Sequence, residues 1–185
     1  MVFKKIKDII GSLDVKIISN NRKSTLQPLI EYIQAKTSSQ QELKLNFICT
    51  HNSRRSHFSQ VWAQAIASYF ELKNVFCYSG GTAATALFPM VVKTLEKSGF
   101  KVRVISEGIN PVYSIKYDKN EHPILGFSKT YDDNFNLQSE FAVIMTCLQV
   151  DAGCPFIADA EKRIPIPYYD SKEFDGTPQQ EAKYQ

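Results

Sequence analysis

The chain has 185 residues, 43% of them hydrophobic, and a formal net charge of +3. This length and apolar content suit one domain with a proper core. The charge is too small to indicate nucleic-acid binding, and acidic and basic residues are mixed, so only a local anion pocket stays open. No apolar run approaches the ~20 residues of a membrane-spanning helix, and Met1-Val2-Phe3-Lys4-Lys5 lacks a secretory hydrophobic region. We therefore expect a soluble, cytoplasmic protein without nucleic-acid or membrane partners.

The first forty residues predict two helices. Residues 3–10 carry apolar side chains at helical spacing, and Gly11 can end that helix. A second helix has one apolar face and a capping box at 24–27, just before Pro28. These faces consist of Phe3, Ile6, Ile9 and Ile10, then Leu26, Leu29, Ile30 and Ile33. We assign residues 1–42 to an N-terminal helical extension that packs on the core; a dimer contact or partner surface is the alternative.

From Leu43 onward, strands and helices alternate. Apolar strands are predicted at 43–48, 75–78 and 141–146, and an edge strand with two prolines at 164–167. Residues 79–82 fit the turn that leaves the second strand. Two helices between strands are indicated by their apolar faces, the second with Pro89 in its first turn and Gly99 beyond its end. The faces consist of Phe58, Val61, Trp62, Ala65, Ile66 and Tyr69, then Phe88, Val91, Val92 and Leu95. The alternation predicts an α/β, three-layer fold with a central four-stranded parallel sheet and helices on both faces.

Two segments interrupt this pattern. Short alternating runs at 101–105, 112–117 and 124–127 predict antiparallel hairpins, which we place as an addition to the sheet edge. Near the end, Thr177-Pro178-Gln179-Gln180 fits a capping box that opens a helix. A helix of this length is marginal, which leaves open that the natural polypeptide continues beyond Gln185.

The loop between the first strand and the next helix carries the strongest chemical signal, Cys49-Thr50-His51-Asn52-Ser53-Arg54-Arg55-Ser56. A strand-to-helix loop can turn several N–H groups inward beside the positive end of the helix, which makes a cradle for a tetrahedral anion. Arg55 offers a planar fork for two of its oxygens. The same field favours the thiolate of Cys49, the nucleophilic form. Alternatively, Cys49 is a small apolar strand residue and Arg55 a solvated helix start.

The spacing Cys49-x5-Arg55-Ser56, with Asn52 in the middle, resembles the signature loop of the low-molecular-weight protein tyrosine phosphatases and their relatives, the thioredoxin-coupled arsenate reductases. Thr50, Asn52 and Ser53 match the reductase version best. His51 and Arg54 depart from it, since a second cysteine is frequent at the latter position. The resemblance implies a catalytic domain at 43–185 and an oxyanion site of Thr50, His51, Asn52, Ser53, Arg54 and Ser56. It does not explain residues 1–42 or the insertion at 101–130.

Four cysteines occur, at 49, 77, 147 and 154, and because nothing indicates export, free thiols are favoured over structural disulfides. Cys77 lies within an apolar run and is most simply a core residue. The strand at 141–146 delivers Cys147 to the sheet edge where Cys49 also lies. Cys147 and Cys154, seven residues apart in a Gly- and Pro-containing loop before Pro155, resemble the redox pair of the reductases. The alternative is that both are incidental.

Asp170 follows the last strand, where the family has its general acid. Tyr168 and Tyr169 precede it, as in the reductases, while Ser171 replaces the usual proline. Asp132-Asp133 is the rival carboxylate pair, which a polar turn more simply leaves solvated. Metal binding is not predicted, because His51 and His57 near Cys49 are not accompanied by paired ligand spacing.

Three hypotheses follow. The resemblance implies arsenate reduction by Cys49, Arg55, Asp170 and the Cys147/Cys154 relay, with thioredoxin as partner and no metal or organic cofactor. The second hypothesis is phosphomonoester hydrolysis, of phosphotyrosine above all, through a cysteinyl-phosphate at Cys49. The third is a non-catalytic oxyanion-binding or interaction module, motivated by His51 and Arg54.

Overall fold

The computed structural model describes residues 1–147, 157 and 159–185. Cys154, half of the predicted redox pair, therefore lies outside the described residues. The helices are α1 (Lys4–Ser12), α2 (Asn20–Ser38), α3 (Arg55–Tyr69), α4 (Pro89–Lys97) and α5 (Gln180–Tyr184), with 3-10 turns at Val15–Ile17 and Ser171–Phe174. The strands are β1 (Leu43–Cys49), β2 (Val75–Gly81), β3 (Lys101–Ser106), β4 (Val112–Lys116), β5 (Ile124–Gly126), β6 (Phe141–Met145) and β7 (Ala160–Pro165).

Four strands form a parallel sheet in the order β2-β1-β6-β7. Helix α3 packs against β1 and β2, and α2 packs against β1 and β7. The predicted α/β fold with a four-stranded parallel sheet and flanking helices is confirmed. Strand β7 lies at the edge, as predicted, but it spans Ala160–Pro165 instead of 164–167, so it contains Pro165 and not Pro167. A proline is tolerated there because its missing N–H is not needed where no further strand must be paired.

The two faces of the sheet enter different hydrophobic clusters, because successive strand residues point to opposite sides. Leu45 and Phe47 of β1 pack with Tyr32 of α2. The other face contributes Ile48, and the same cluster holds Cys49 and Cys147. The prospective site thus lies directly on buried apolar packing, which holds the ends of β1 and β6 together.

A further cluster lies between α1, α3, α4 and the small sheet. Val61 and Ala65 of α3 are fully buried there, and the rest of the predicted apolar stripe of this helix packs around them. Ile6 of α1 and Leu95 of α4 are likewise fully buried. The burial of Ile6, Val61 and Leu95 stabilises the fold by about 1.5–3 kcal/mol each, and that of the single methyl group of Ala65 by less.

Strands β3, β4 and β5 form a separate antiparallel sheet, in that order. The hairpins are confirmed, but their placement at the edge of the main sheet is wrong. Ile115 of β4 and Ile124 of β5 are buried in the cluster of α1, α3 and α4. The hairpins therefore bury their apolar face against helices instead of extending the parallel ladder.

The start of α2 differs from the predicted capping box. The hydroxyl of Ser19 accepts a hydrogen bond from the Arg22 N–H at 3.2 Å, and the helix begins at Asn20. Ser24 therefore lies inside the helix, and so does Pro28, which cannot donate the usual bond to the turn before it. Ile30, placed on the buried face, is 41% exposed. Ser19 caps the helix instead of Ser24, because its hydroxyl satisfies a free N–H group more than one turn upstream.

Three other boundaries also moved. Helix α1 continues through Gly11 to Ser12. Strand β2 extends to Gly81, so the turn assigned to 79–82 starts too early. Helix α5 begins only at Gln180, because the Thr177 hydroxyl accepts from the Gln179 N–H within a turn that precedes the helix. No helix among the described residues is long and apolar enough to cross a membrane.

Candidate active site

Two cysteines meet at the carboxyl edge of the parallel sheet. Cys49 is the last residue of β1, and Cys147 lies just beyond β6, with Ile48 opposite Met145 in the ladder. Cys49 is 4% exposed and Cys147 is fully buried. The hydroxyl of Thr50 lies 3.7 Å from the Cys147 sulfur, and this contact links the ends of the two strands.

Ser56 connects the Cys49 thiol to the loop. Its Oγ lies 3.1 Å from Cys49 Sγ and accepts a hydrogen bond from Asn52 Nδ2 at 2.9 Å. Because an amide nitrogen can only donate, the hydrogen of the hydroxyl stays available to the sulfur. Ser56 can therefore donate a hydrogen bond to the sulfur of Cys49.

The carbonyl groups of the loop point away from its centre. They accept hydrogen bonds from the segment after β2 and from Ser128. The pairs are Thr82 N to Cys49 O at 3.2 Å, Ala83 N to Thr50 O at 2.9 Å, Phe88 N to Ser53 O at 3.1 Å and Ser128 Oγ to His51 O at 2.9 Å. In a trans peptide the following N–H points opposite to its carbonyl. Each N–H group of residues 50, 51, 52 and 54 therefore points away from the donor that the preceding carbonyl meets, which is compatible with an anion cradle.

Asn52 holds the loop at its sharpest point. Its φ of 44° lies in the left-handed region, which asparagine tolerates better than most residues. Its side chain is fully buried, and besides donating to Ser56, its Oδ1 accepts from the backbone N–H of Lys129 at 3.0 Å. One residue therefore links the loop turn, the thiol partner and the segment before β6.

Gly81 is a site residue that the sequence reasoning missed. It lies opposite Cys49 in the β1–β2 ladder. A Cβ atom on it would come within 2.7 Å of Asn52 N and 2.8 Å of Thr50 O, closer than real side chains approach. The Gly80-Gly81 pair is a visible signal in the sequence, where it fits a turn. In the structure Gly81 lets the loop backbone pass close by, whereas a Cβ atom on Gly80 would meet Tyr131 Cα at 2.5 Å.

Arg55 and Asp170 form an ion pair at 2.8 Å between the guanidinium and Asp170 Oδ2. The Tyr168 carbonyl accepts a longer hydrogen bond from the Arg55 guanidinium, at 3.4 Å. The other carboxylate oxygen, Oδ1, accepts from the Lys172 N–H at 3.1 Å and starts the 3-10 turn. The fold therefore brings Asp170, which follows the last strand, to Arg55, which lies 115 residues away in the sequence.

Arg54, the neighbouring arginine, has different partners. Its Nε donates to the Tyr184 hydroxyl at 2.6 Å, and its NH2 group pairs with Asp175. Its guanidinium also lies 3.9 Å from the centre of the Phe88 ring. The contacts of Arg54 with Asp175, Tyr184 and Phe88 are not predicted by the sequence, because no local pattern joins these residues to the loop.

The remaining predicted residues lie as follows. His51 is exposed, and the Ser53 hydroxyl donates to the Ala86 carbonyl at 2.7 Å. Of the rival pair, Asp132 is exposed, while Asp133 accepts from the Phe135 N–H at 2.8 Å. Across residues 1–147, 157 and 159–185, no group of three or more histidine, cysteine, aspartate or glutamate side chains could hold a metal ion.

Two buried polar residues, His57 and Lys129, lie behind the loop. Desolvation, with a contribution from the charge of Lys129, lowers the pKa of His57 to about 3, so this imidazole is neutral at pH 7. Lys129 is 1% exposed; its Nζ has no hydrogen-bond partner among the described residues and lies 4.6 Å from the Phe127 ring centre. Desolvation lowers the pKa of Lys129 to about 8. His57 is thus a core residue, and Lys129 is a cation held at a substantial cost.

Comparisons with known proteins give little. No family model matches the chain, and no curated protein matches it in sequence. A similar solved structure is the Corynebacterium glutamicum thioredoxin-dependent arsenate reductase, at 15% identity and a TM-score of 0.39, covering 97% of this chain and 87% of that one. At this level the likeness assigns neither an activity nor a substrate to this chain.

Proposed function

We propose that this chain is an arsenate reductase with Cys49 as nucleophile, Arg55 and the loop N–H groups as the oxyanion site, and thioredoxin as the final reductant. The observation that supports this most is the pair of buried cysteines at one sheet edge: Cys49 hydrogen-bonded to Ser56, and Cys147 within 3.7 Å of Thr50. A phosphatase has no use for the second thiol. Reduction requires it.

In the first step, the Cys49 thiolate attacks arsenic, forming an S–As bond as one As–O bond breaks. The departing hydroxyl group of arsenate takes a proton from Asp170 and leaves as water, while Arg55 and the loop N–H groups hold the charged oxygens. Once the anion occupies Arg55, the carboxylate of Asp170 is released from its ion pair, takes up a proton from solvent and can then serve as the acid.

In the second step, the Cys147 thiolate attacks the sulfur of Cys49. The S–S bond forms and the S–As bond breaks; the electron pair stays on arsenic, which is reduced from As(V) to As(III) and leaves as arsenite. Cys154 then attacks Cys147, which frees Cys49 as a thiolate and leaves a 147–154 disulfide. Thioredoxin reduces that disulfide by thiol exchange. The role of Cys154 rests on the sequence spacing alone.

The test is arsenate turnover coupled to thioredoxin, thioredoxin reductase and NADPH. Wild-type protein should consume NADPH on addition of arsenate, and C49S, C147S and C154S should each lose the activity. The matched control is C77S, which removes a thiol from the core and should retain turnover. Arsenate turnover that survives in both C147S and C154S would show that reduction does not use this relay and would reject the proposal.

Phosphomonoester hydrolysis is the second candidate. It is favoured by the 2.8 Å contact between Asp170 and Arg55, since a carboxyl group next to the oxyanion site suits protonation of an alcohol leaving group. Hydrolysis of an aryl phosphate that is lost in C49S and kept in C147S would support it. A wild-type protein that binds phosphate but turns over neither arsenate nor aryl phosphate would instead indicate a non-catalytic oxyanion-binding module.

A further inference from the structure

Two consecutive arginines of the loop are paired with the two ends of one short turn. Arg55 pairs with Asp170, the residue before the 3-10 turn Ser171–Phe174, and Arg54 pairs with Asp175, the residue after it. A single turn thus spans both aspartates. The loop and the turn are held at two points, which fixes the orientation of the turn as well as its position.

The two ion pairs have different surroundings. Arg54 belongs to a closed group in which the Tyr184 hydroxyl accepts from Arg54 Nε and donates to Asp175 Oδ1, both at 2.6 Å. Phe88 covers the guanidinium. Asp175 is 24% exposed, whereas Asp170 is 35% exposed. Burial and the hydrogen bond to Asp175 raise the pKa of Tyr184, so it stays a protonated donor.

The ion pair of Asp170 is the one that a substrate must break. An oxyanion bound at Arg55 competes for the same guanidinium, because both carry negative oxygens that prefer its planar fork. After that exchange Arg55 no longer holds Asp170. The second attachment point, at Arg54, is not touched by the anion.

We propose that Asp175, Arg54 and Tyr184 are positioning residues, which keep the carboxyl group of Asp170 over the oxyanion site after the substrate has displaced it from Arg55. This rests on the proposed function, in which Asp170 is the acid. Arg54 thereby has a role that differs from direct anion binding, although it lies in the same loop.

The test uses the leaving-group dependence of aryl phosphate hydrolysis, because a general acid matters most when the leaving group is a poor one. Asp175→Asn should lower kcat for phenyl phosphate roughly tenfold, a fraction of what a general acid typically contributes, and change kcat for 2,4-dinitrophenyl phosphate less than about twofold. KM and competitive inhibition by inorganic phosphate should not change. Tyr184→Phe, a milder variant that preserves packing, should act in the same direction with a smaller effect.

Glu173→Gln is the matched control, since it removes the same charge from an exposed position of the same turn and should leave both esters unaffected. Asp170→Asn is the reference and should show the same leaving-group dependence more strongly. If Asp175→Asn lowers kcat equally for both esters, or raises the inhibition constant of phosphate, the Arg54–Asp175 pair merely supports the loop. Either result would overturn the proposal. Unchanged hydrolysis of both esters would overturn it as well.

If wild-type protein reduces arsenate but hydrolyses neither ester, kcat and KM for arsenate replace the two esters as the readout. Asp175→Asn should then lower kcat about tenfold at constant KM. Unchanged kcat or a raised KM would overturn the positioning role while the proposed function stands. Absence of any turnover by the wild-type protein would reject the proposed function, and the positioning role with it.

Discussion

Cys49 and Cys77 lie on neighbouring parallel strands and are almost equally buried, at 4% and 5% exposure. Cys77 lies within β2 opposite Leu45, and desolvation raises the pKa of its thiol to about 12. Cys49 lies where β1 ends, with the Ser56 hydroxyl 3.1 Å away and the strand-to-helix loop directly after it. Position along the strand, and not burial, therefore separates a nucleophile candidate from a core thiol.

The largest difference between Cys49 and Cys77 is expected when each thiol is exchanged for a hydroxyl group. C49S should lower turnover of arsenate or aryl phosphate by roughly 10³-fold or more, because serine is a far weaker nucleophile without an adjacent base. C77S should retain turnover. Steady-state kinetics on both variants at matched folded concentration checks this, and a comparable loss in C77S would contradict the distinction.

The next largest effect is expected at Gly81, the last residue of β2, which lies against the loop. Gly81→Ala forces its Cβ against Thr50 O and Asn52 N, at contact distances of 2.8 and 2.7 Å, so the loop must shift. If the loop carries the nucleophile, its misplacement by about 1 Å should lower kcat/KM by about 10²-fold. Gly108→Ala is the control for an added methyl group, since nothing lies within 4 Å there, although its own positive φ makes a small stability loss expected. Unchanged kinetics in Gly81→Ala would show that the loop does not depend on this close approach.

Replacement of Lys129, which is buried behind the loop, tests whether a buried cation lowers the free energy of unfolding. Below about pH 8 this lysine is charged in both the folded and unfolded protein, and the fold bears the full desolvation penalty. Lys129→Met should raise the free energy of unfolding at pH 7 by on the order of 3 kcal/mol. The exposed Lys119→Met is the matched control.

The pH dependence of that difference is a further check. As pH rises from about 8, the folded protein releases the proton from Lys129 while the unfolded chain keeps it up to its ordinary pKa. Wild-type protein therefore gains stability relative to Lys129→Met, and the gap should close with rising pH. Denaturant unfolding of both proteins between pH 7 and 10 measures this; a variant that is less stable at every pH would contradict it.

The smallest effect is expected at the core thiol. Cys77→Ala removes one buried sulfur and leaves a small cavity, so we expect a loss of about 1 kcal/mol in the free energy of unfolding. Turnover should not change, because Cys77 lies away from the strand end. Thermal unfolding measured with the activity assay separates the two outcomes, and a change in turnover would place Cys77 closer to the chemistry than its strand position indicates.

Local patterns predicted much of the fold for physical reasons that act over a few residues. The buried face of α3 follows from helical spacing, and β1 and β6 follow from apolar runs. Helix starts were predicted less well, since Ser19 and Ser24 are equally plausible caps and only the folded chain decides between them. The docking of the hairpins onto helices was also beyond the sequence, because either surface could bury their apolar side chains.

By itself, the sequence determined that a cysteine ends a strand, that Arg55 begins the following helix, and that a second cysteine and an aspartate follow later strands. These are properties of neighbouring residues. The tertiary structure alone decided which arginine meets which aspartate, that Gly81 passes against the loop, and that Lys129 is buried behind it. These contacts join residues that lie far apart in the chain. No local propensity encodes them, because they form only when several elements pack at once.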